Sequence, residues 1–247
     1  MVNQEEFWRE IKRKQQREKC RGPRVVPAFT IQALQDNTVV EKPPRCSPYD
    51  ERPPKAPSTF RRYYERGVFP LNLEIASSVL RLNWKCKMEE LDYNFYLPLF
   101  FDGLIETKSP YTFLAEQGIY DMLEAATGTD KVLKVLPQLI LPIKRAVDTR
   151  IPDVLCRSLR VLQQLVRSGN CIGEALVPYY RQILPVFNLL KDRNVNLGED
   201  IDYAQQRGEN VSDLIQETLE ILEHCGGEDA FPNIKYIVAT YESCMKN

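Results

Sequence analysis

Val132, Leu136, Leu139, Ile143 and Val147 recur at steps of three and four residues, with Leu133, Ile140 and Ala146 beside them. A single apolar face therefore runs through this stretch, which predicts an amphipathic helix opened by Thr129 or Asp130. Pro137 and Pro142 lie inside it and predict a break or a kink. After a turn at Arg150-Ile151-Pro152, a second amphipathic run from Pro152 to Arg167 buries Leu155, Leu159, Leu162 and Val166 and exposes Arg157, Arg160, Gln164 and Arg167. The heart of the first run, Leu141-Pro142-Ile143, has counterparts in Leu97-Pro98-Leu99 and Leu184-Pro185-Val186, so that the three prolines are 44 and 43 residues apart. Spacing of this size is what two-helix repeats leave in a sequence. The fold predicted is all-α, a HEAT/armadillo-like helical repeat solenoid with a short N-terminal β-hairpin and an extended N-terminal arm.

The other elements follow from the same patterns. Leu71, Leu73 and Ile75 alternate with polar residues, as do Leu80, Leu82 and Trp84, so Phe69–Ile75 and Val79–Lys87 read as the strands of a hairpin that caps the open end of the solenoid. Asp92 is the candidate N-cap of a helix carrying Tyr93, Tyr96, Leu97, Phe100, Phe101 and Leu104, and Ser109-Pro110 reads as the cap and first residue of the next. A further pair begins near Cys171 and ends near Arg193. Ser212 caps a helix to Cys225 whose buried side is Leu214, Ile215, Leu219, Ile221 and Leu222, and whose outer side is Asp213, Glu217, Glu220 and Glu223. Gly226-Gly227 stops it, and Phe231 to Cys244 supplies the closing helix. Residues 58–247 form the helical repeat domain on this reading, and residues 1–57 a basic, proline-rich arm: its first part, Asn3 to Lys19, has helix propensity but only Phe7, Trp8 and Ile11 as anchors, and eight prolines follow between Pro23 and Pro57.

Charge separates the two parts. Residues 1–66 hold 15 Lys/Arg against 9 Asp/Glu, whereas residues 67–247 hold 18 against 25. A basic arm on an acidic body points to polyanionic partners, namely nucleic acid, anionic lipid or an acidic protein lattice. No run approaches the ~18 apolar residues of a membrane span, and the start has no apolar leader, so a cytosolic protein is expected. The seven cysteines form no CxxC pair and read as reduced thiols, which makes Asn210-Val211-Ser212 a sequon without a glycan.

Chemistry is sparse. The single histidine, His224, closes a helix, where its cation suits the helix dipole; nothing positions a thiol beside it, and no phosphate-cradling or hydrolase signature appears. The cluster Tyr93, Phe95, Tyr96, Phe100 and Phe101 reads as core. Arg61, Arg62 and Arg66 among Phe60, Tyr63 and Tyr64 suit either an acidic protein or single-stranded nucleic acid, or else a latch onto the first helices. The insertion from Asn194 to Glu209 interrupts the helical rhythm.

Several longer phrases carry a family resemblance. Phe60-Arg61-Arg62-Tyr63-Tyr64-Glu65-Arg66-Gly67, Leu91-Asp92-Tyr93, Tyr96 to Leu104, Leu176 to Pro185, Asp213 to Glu220, Asn233-Ile234-Lys235-Tyr236 and Thr240 to Cys244 together resemble the Parkin co-regulated protein family. The match covers about residue 52 to the end, with a looser echo from Phe29 to Val40 and no counterpart for residues 1–27. The resemblance implies a helical repeat protein of ciliary and flagellar axonemes, located at the inner junction of doublet microtubules, where the B-tubule wall closes onto the A-tubule. Its implied partners are α/β-tubulin, a small β-rich inner-junction protein and other microtubule inner proteins, with neither nucleic acid nor membrane, and no catalytic residue, cofactor or metal.

Within that expectation Arg9, Lys12, Arg13, Lys14, Arg17, Arg21 and Arg24 draw the arm to tubulin, and Phe29, Ile31, Val39 and Val40 hold it there. Arg61, Arg62 and Arg66 are the expected contact of the body. Asn194, Asn196, Glu199, Asp200, Asp202, Tyr203 and Arg207 meet the second tubule or the junction protein, or else form a disordered loop. The competing reading is a cytosolic adaptor that binds peptides or partner proteins on the concave face of the solenoid. A nucleic-acid role for the arm and a cysteine enzyme rank behind it.

Overall fold

The computed structural model describes residues 4–20, 23–36, 38–42, 47–76, 79–169, 171–192 and 210–245. Its contacts divide the chain into two units, Met1–Ser47 and Pro48–Asn247. The first holds α1 (Gln4–Cys20) and two three-residue strands, β1 (Arg24–Val26) and β2 (Thr38–Val40), joined by a loop with a 3-10 turn at Ile31–Leu34. The strands pair in parallel with Val25 opposite Val39, and the Glu41 amide extends the ladder onto the Val26 carbonyl at 2.8 Å. A single side chain of this sheet, Val26, is buried. α1 lies where the sequence has helix propensity, before the first proline, and the proline-rich stretch read as extended pairs part of itself into a small parallel sheet.

The second unit opens ten residues before the predicted domain start. The Arg52 amide donates to the Thr149 carbonyl at 2.7 Å, and the Arg150 guanidinium donates to the Pro48 carbonyl. Next comes α2 (Thr59–Glu65), a helix that no apolar period announces. It is anchored instead at its start, where Ser58 caps the Arg61 amide and two buried carboxylates accept the free amides: Glu106 from Ser58 and Asp102 from Thr59, each at 2.8 Å. Phe60 is fully buried, with its ring centre 5.0 Å from that of Phe69 and 5.2 Å from that of Phe100.

The predicted hairpin is present as β3 (Leu71–Ala76) and β4 (Val79–Trp84), antiparallel with Leu73 opposite Leu82. It ends on Trp84, whose indole donates to Asp121 at 2.8 Å and so ties the hairpin to the helices. These are α3 (Tyr93–Asp102), α4 (Tyr111–Ala125), α5 (Lys131–Asp148), α6 (Pro152–Arg167), α7 (Ile172–Leu176), α8 (Tyr180–Leu190), α9 (Val211–Cys225) and α10 (Ala230–Ile237). α5 packs against α3 on one side and α8 on the other, α6 likewise between α4 and α9, and α10 covers α8 and α9. The unit is therefore mostly helical, with α3, α5 and α8 in one row and α4, α6 and α9 in a second.

Pro98, Pro142 and Pro185 lie inside α3, α5 and α8, the three helices of the first row. α5 runs unbroken through both Pro137 and Pro142, where a break or kink is predicted. Each proline deletes one amide donor, and packing on α3, α6 and α8 holds the helix together across the gaps. The middle phrase is turned about its axis: Leu97 and Leu184 are fully buried, whereas Leu141 is 51% exposed and Pro142 is buried. One residue is roughly 100° of helix, enough to exchange the two positions.

Four other expectations are corrected. The helix expected to begin with a Ser109 cap begins at Tyr111, with Pro110 in the cap position and no side-chain cap. Asn210, not Ser212, caps α9, accepting from the Ser212 amide at 3.2 Å; the Ser212 hydroxyl turns to the Lys191 carbonyl instead. The closing helix stops at Ile237, and the following residues fold back on α9. Arg157 is half-buried, donating to the Glu106 carbonyl at 3.0 Å.

Candidate interaction surfaces

On α1, Arg9, Lys12, Arg13, Lys14 and Arg17 are all exposed. Arg9 makes an open ion pair with Glu5 at 3.9 Å. Arg24 opens β1 and is exposed too, whereas Arg21 lies outside the described residues. Beyond β1, Phe29 sits at a left-handed φ of 64° and is 90% exposed, Ile31 is 86% exposed, and Val39 and Val40 are about half exposed. Leu34, which the sequence reading passes over, is 88% exposed. Apolar side chains held outward on ordered backbone are the usual mark of a contact surface.

The three arginines of α2 and its cap divide. Arg61 is engaged at home: it donates to Glu65 at 2.8 Å and lies over the Tyr111 ring at 4.7 Å, while the Tyr111 hydroxyl reaches the same Glu65 oxygen at 3.0 Å. That hydrogen bond raises the guanidinium above its ordinary range and holds the Glu65 carboxyl below its own. Arg62 and Arg66 are exposed, and Arg62 makes one long bond, 3.4 Å, to Thr59. The latch and the outward-facing side chains are therefore both present, in different residues of one short helix and its cap. Asn194, Asn196, Glu199, Asp200, Asp202, Tyr203 and Arg207 lie outside the described residues.

A buried clasp went unrecognised in the sequence. Glu223, read there as an outer residue of α9, is 2% exposed. It accepts from the Tyr241 hydroxyl at 2.5 Å, from the Ser243 hydroxyl, and from the Cys244 amide and thiol at 3.1 and 3.2 Å. Burial pushes the carboxyl up, and these donors more than offset it, so it lies below the usual carboxylate range. Lys191 and Lys235 fasten the same strap through the carbonyls of Thr240 and Tyr241. A signal was available: Glu223 stands four residues after buried Leu219 and eight after Ile215, on the apolar side of the helix.

His224 is exposed in the last turn of α9, as its end-of-helix position implies. Burial pushes the thiols of Cys156 and Cys244 up, away from the thiolate that nucleophilic chemistry needs. Among the described residues, no group of three or more His, Cys, Asp or Glu side chains could hold a metal ion, and no helix is long and apolar enough to cross a membrane. A cleft of about 350 Å³ opens between the α4–α5 and α6–α7 turns, lined by Thr127, Asp130, Arg167 and Cys171 among others.

Two comparisons with known proteins agree with the resemblance in the sequence. The family profile described as ParcG, Parkin co-regulated protein, matches residues 58–243. The mouse (Mus musculus) protein named Parkin coregulated gene protein homolog is 56% identical over 223 residues, covering 90% of this chain and 91% of its own length. The profile spans the whole helical unit from the Ser58 cap to the Glu223 clasp, and the chain belongs to the Parkin co-regulated protein family.

Proposed function

We propose that this chain is a non-catalytic structural protein that binds microtubules in the axoneme of cilia and flagella, bridging the A- and B-tubules at the inner junction of the doublet. The observation that carries the reading is the exposed cation and apolar surface of the first unit. It combines five outward Lys/Arg on α1 with Phe29, Ile31 and Leu34 held in solvent. Such a surface suits an acidic protein lattice: the charges bring the segment to it and the apolar side chains are covered on arrival. Tubulin is the partner we infer for this segment, and a small β-rich junction protein and other microtubule inner proteins are inferred as neighbours.

On this reading the helical unit is a spacer. We read its pairs α3–α4, α5–α6 and α8–α9 as HEAT-like repeats, supported by the two rows of helices and by one Leu-Pro phrase in each first-row helix. Stacked repeats transmit position along their length, which is what a bridge between two tubule walls requires.

The test is co-sedimentation of the full chain with microtubules across a salt series, beside a full-length variant in which Arg9, Lys12, Arg13, Lys14 and Arg17 are glutamate. The native chain pellets at low salt and is released as salt rises, while the variant stays in the supernatant. Equal pelleting of both proteins overturns the assignment of the arm. Pelleting of neither with single microtubules, together with pelleting of the native chain on isolated doublets, assigns the contact to the junction geometry.

A further inference from the structure

Exposed charge on the helical unit is sorted by row. In the row of α3, α5 and α8, Lys134 and Arg145 of α5 and Arg181 of α8 are exposed and Lys131 and Lys144 of α5 half-buried, α3 has no cation, and the acids of these helices are confined to Asp102, buried beside Arg145 at 3.5 Å, and Asp148, at the last position of α5. The second row is different in sign: α4 and α9 expose Glu124, Asp213 and Glu217 and half-bury Glu116 and Glu220, and α6 between them exposes Asp153 with the cations Arg160 and Arg167, its Arg157 being half-buried. A body with a net negative charge therefore presents one locally basic face. Its Debye-screened reach in physiological salt is about 8 Å, so what meets that face feels the local sign rather than the total.

The same face carries apolar side chains. Lys134, Gln138, Leu141 and Arg145 follow at steps of four, three and four along α5 and share one stripe. Leu141 is in solvent because the middle Leu-Pro phrase is rotated relative to the other two, where the leucine is core. Next to α5, α8 exposes Pro185 and Arg181, and the Arg181 guanidinium lies 5.8 Å from the centre of the Tyr236 ring, itself 79% exposed. The attraction between the cation and that ring keeps the guanidinium near the surface where α8 meets α10.

We propose that the outer face of α3, α5 and α8 docks an extended acidic peptide segment of a partner protein, with Leu141 as its apolar seat and Lys134, Arg145 and Arg181 as its cationic rim. Charge complementarity selects the occupant. The chain's own N-terminal arm has the same sign as the face and does not qualify. A long polyanion such as a nucleic-acid duplex extends past the band and meets the acidic α4 and α9 side, whereas a single extended chain fits the band alone. The site is built without residues of the cationic arm.

The test measures fluorescence anisotropy of a fluorescein-labelled nonapeptide, four glutamates on each side of a central leucine, titrated with the full chain. The arm cations Arg9, Lys12, Arg13, Lys14 and Arg17 are glutamine in this background, so that only the body is read. Binding is expected at low salt, weakening as salt rises. The double variant Lys134→Glu, Arg181→Glu is expected to lose at least about tenfold in affinity, and Lys134→Gln, Arg181→Gln less than that. Leu141→Ser is expected to abolish the advantage of the leucine-bearing peptide over nonaglutamate. Four outcomes overturn the proposal: a double variant that binds within about twofold of its parent, equal binding of a nonaglutamine peptide, equal competition by a DNA duplex, or concentration-dependent self-association that disappears in the double variant, which would make a second copy the occupant.

Discussion

Phe29 and Phe100 put the same side chain to opposite uses. Phe100 is fully buried, with the rings of Phe60, Phe69 and Trp84 centred within 5.7 Å of its own. Phe29 stands 90% in solvent at a φ of 64°, a backbone region that bulky residues seldom adopt. The contrast extends to the units that hold them. The helical unit keeps most of its aromatic and aliphatic side chains inside and gains its stability from that burial, although Leu141, Tyr236 and Phe95, the last read as core from the sequence, stand in solvent. The first unit leaves Val25, Phe29, Ile31 and Leu34 outside, so the apolar area that could stabilise it is available to a partner. A substitution should accordingly register as lost stability in one region and as lost association in the other.

The largest effect expected is Phe100→Ala, which removes the ring that fills the space beside Gly118. It should lower the stability of the helical unit by about 3–5 kcal/mol in urea unfolding. Second comes Glu223→Ala, which leaves the buried Tyr241 hydroxyl and the Cys244 amide without their acceptor. A loss of about 1–3 kcal/mol is expected, together with faster amide exchange across residues 238–245.

The clasp also has a pH signature. Because the Glu223 carboxyl is held below its ordinary range when folded, it contributes stability above its unfolded pKa of about 4.3 and loses it as pH falls through the folded value. Thermal midpoints of the native chain and of Glu223→Gln should therefore converge as pH is lowered from near neutral to about 3. A constant gap would show that the carboxylate charge is irrelevant to the strap.

Smaller still is the α9 cap, where Asn210→Ala should cost about 1 kcal/mol. At the far end of the scale, Phe29→Ser should change unfolding by less than about 0.5 kcal/mol yet weaken microtubule pelleting. If Phe29→Ser destabilised the chain as Phe100→Ala does, the division of labour between the two regions would be wrong.

Much of the helical unit was legible because periodicity is a local property. The hairpin pattern, the Asp92 cap, the apolar face of α5 and the Gly226-Gly227 stop are written in neighbouring residues, and each is found where the pattern puts it. Helix α2 was not legible, because what starts it is a pair of carboxylates, Asp102 and Glu106, more than forty residues further on. The shortened closing helix has the same kind of cause: Glu223 on α9 holds the Tyr241 and Ser243 hydroxyls and the Cys244 amide, which a further turn of helix would carry away from it.

The candidate surface divides in the same way. That Arg9, Lys12, Arg13, Lys14 and Arg17 are exposed follows from a helix with too few apolar anchors to be buried. That Arg61 is engaged while Arg62 and Arg66 are exposed depends on Glu65, four residues on along the same helix, and on Tyr111, which only the tertiary fold brings to the pair.

Sequence alone determined the family, the mostly helical unit with its three Leu-Pro phrases, and the opposition of basic arm to acidic body, because these rest on composition, period and collinear phrases. Tertiary structure decided which copies of one phrase face inward, and that Leu141 rather than Pro142 meets solvent. It also brought Glu223 to Tyr241 and sorted the body's charges into a basic row and a largely acidic one. The physical reason is that burial and pairing are set by residues distant along the chain, which a local pattern does not contain.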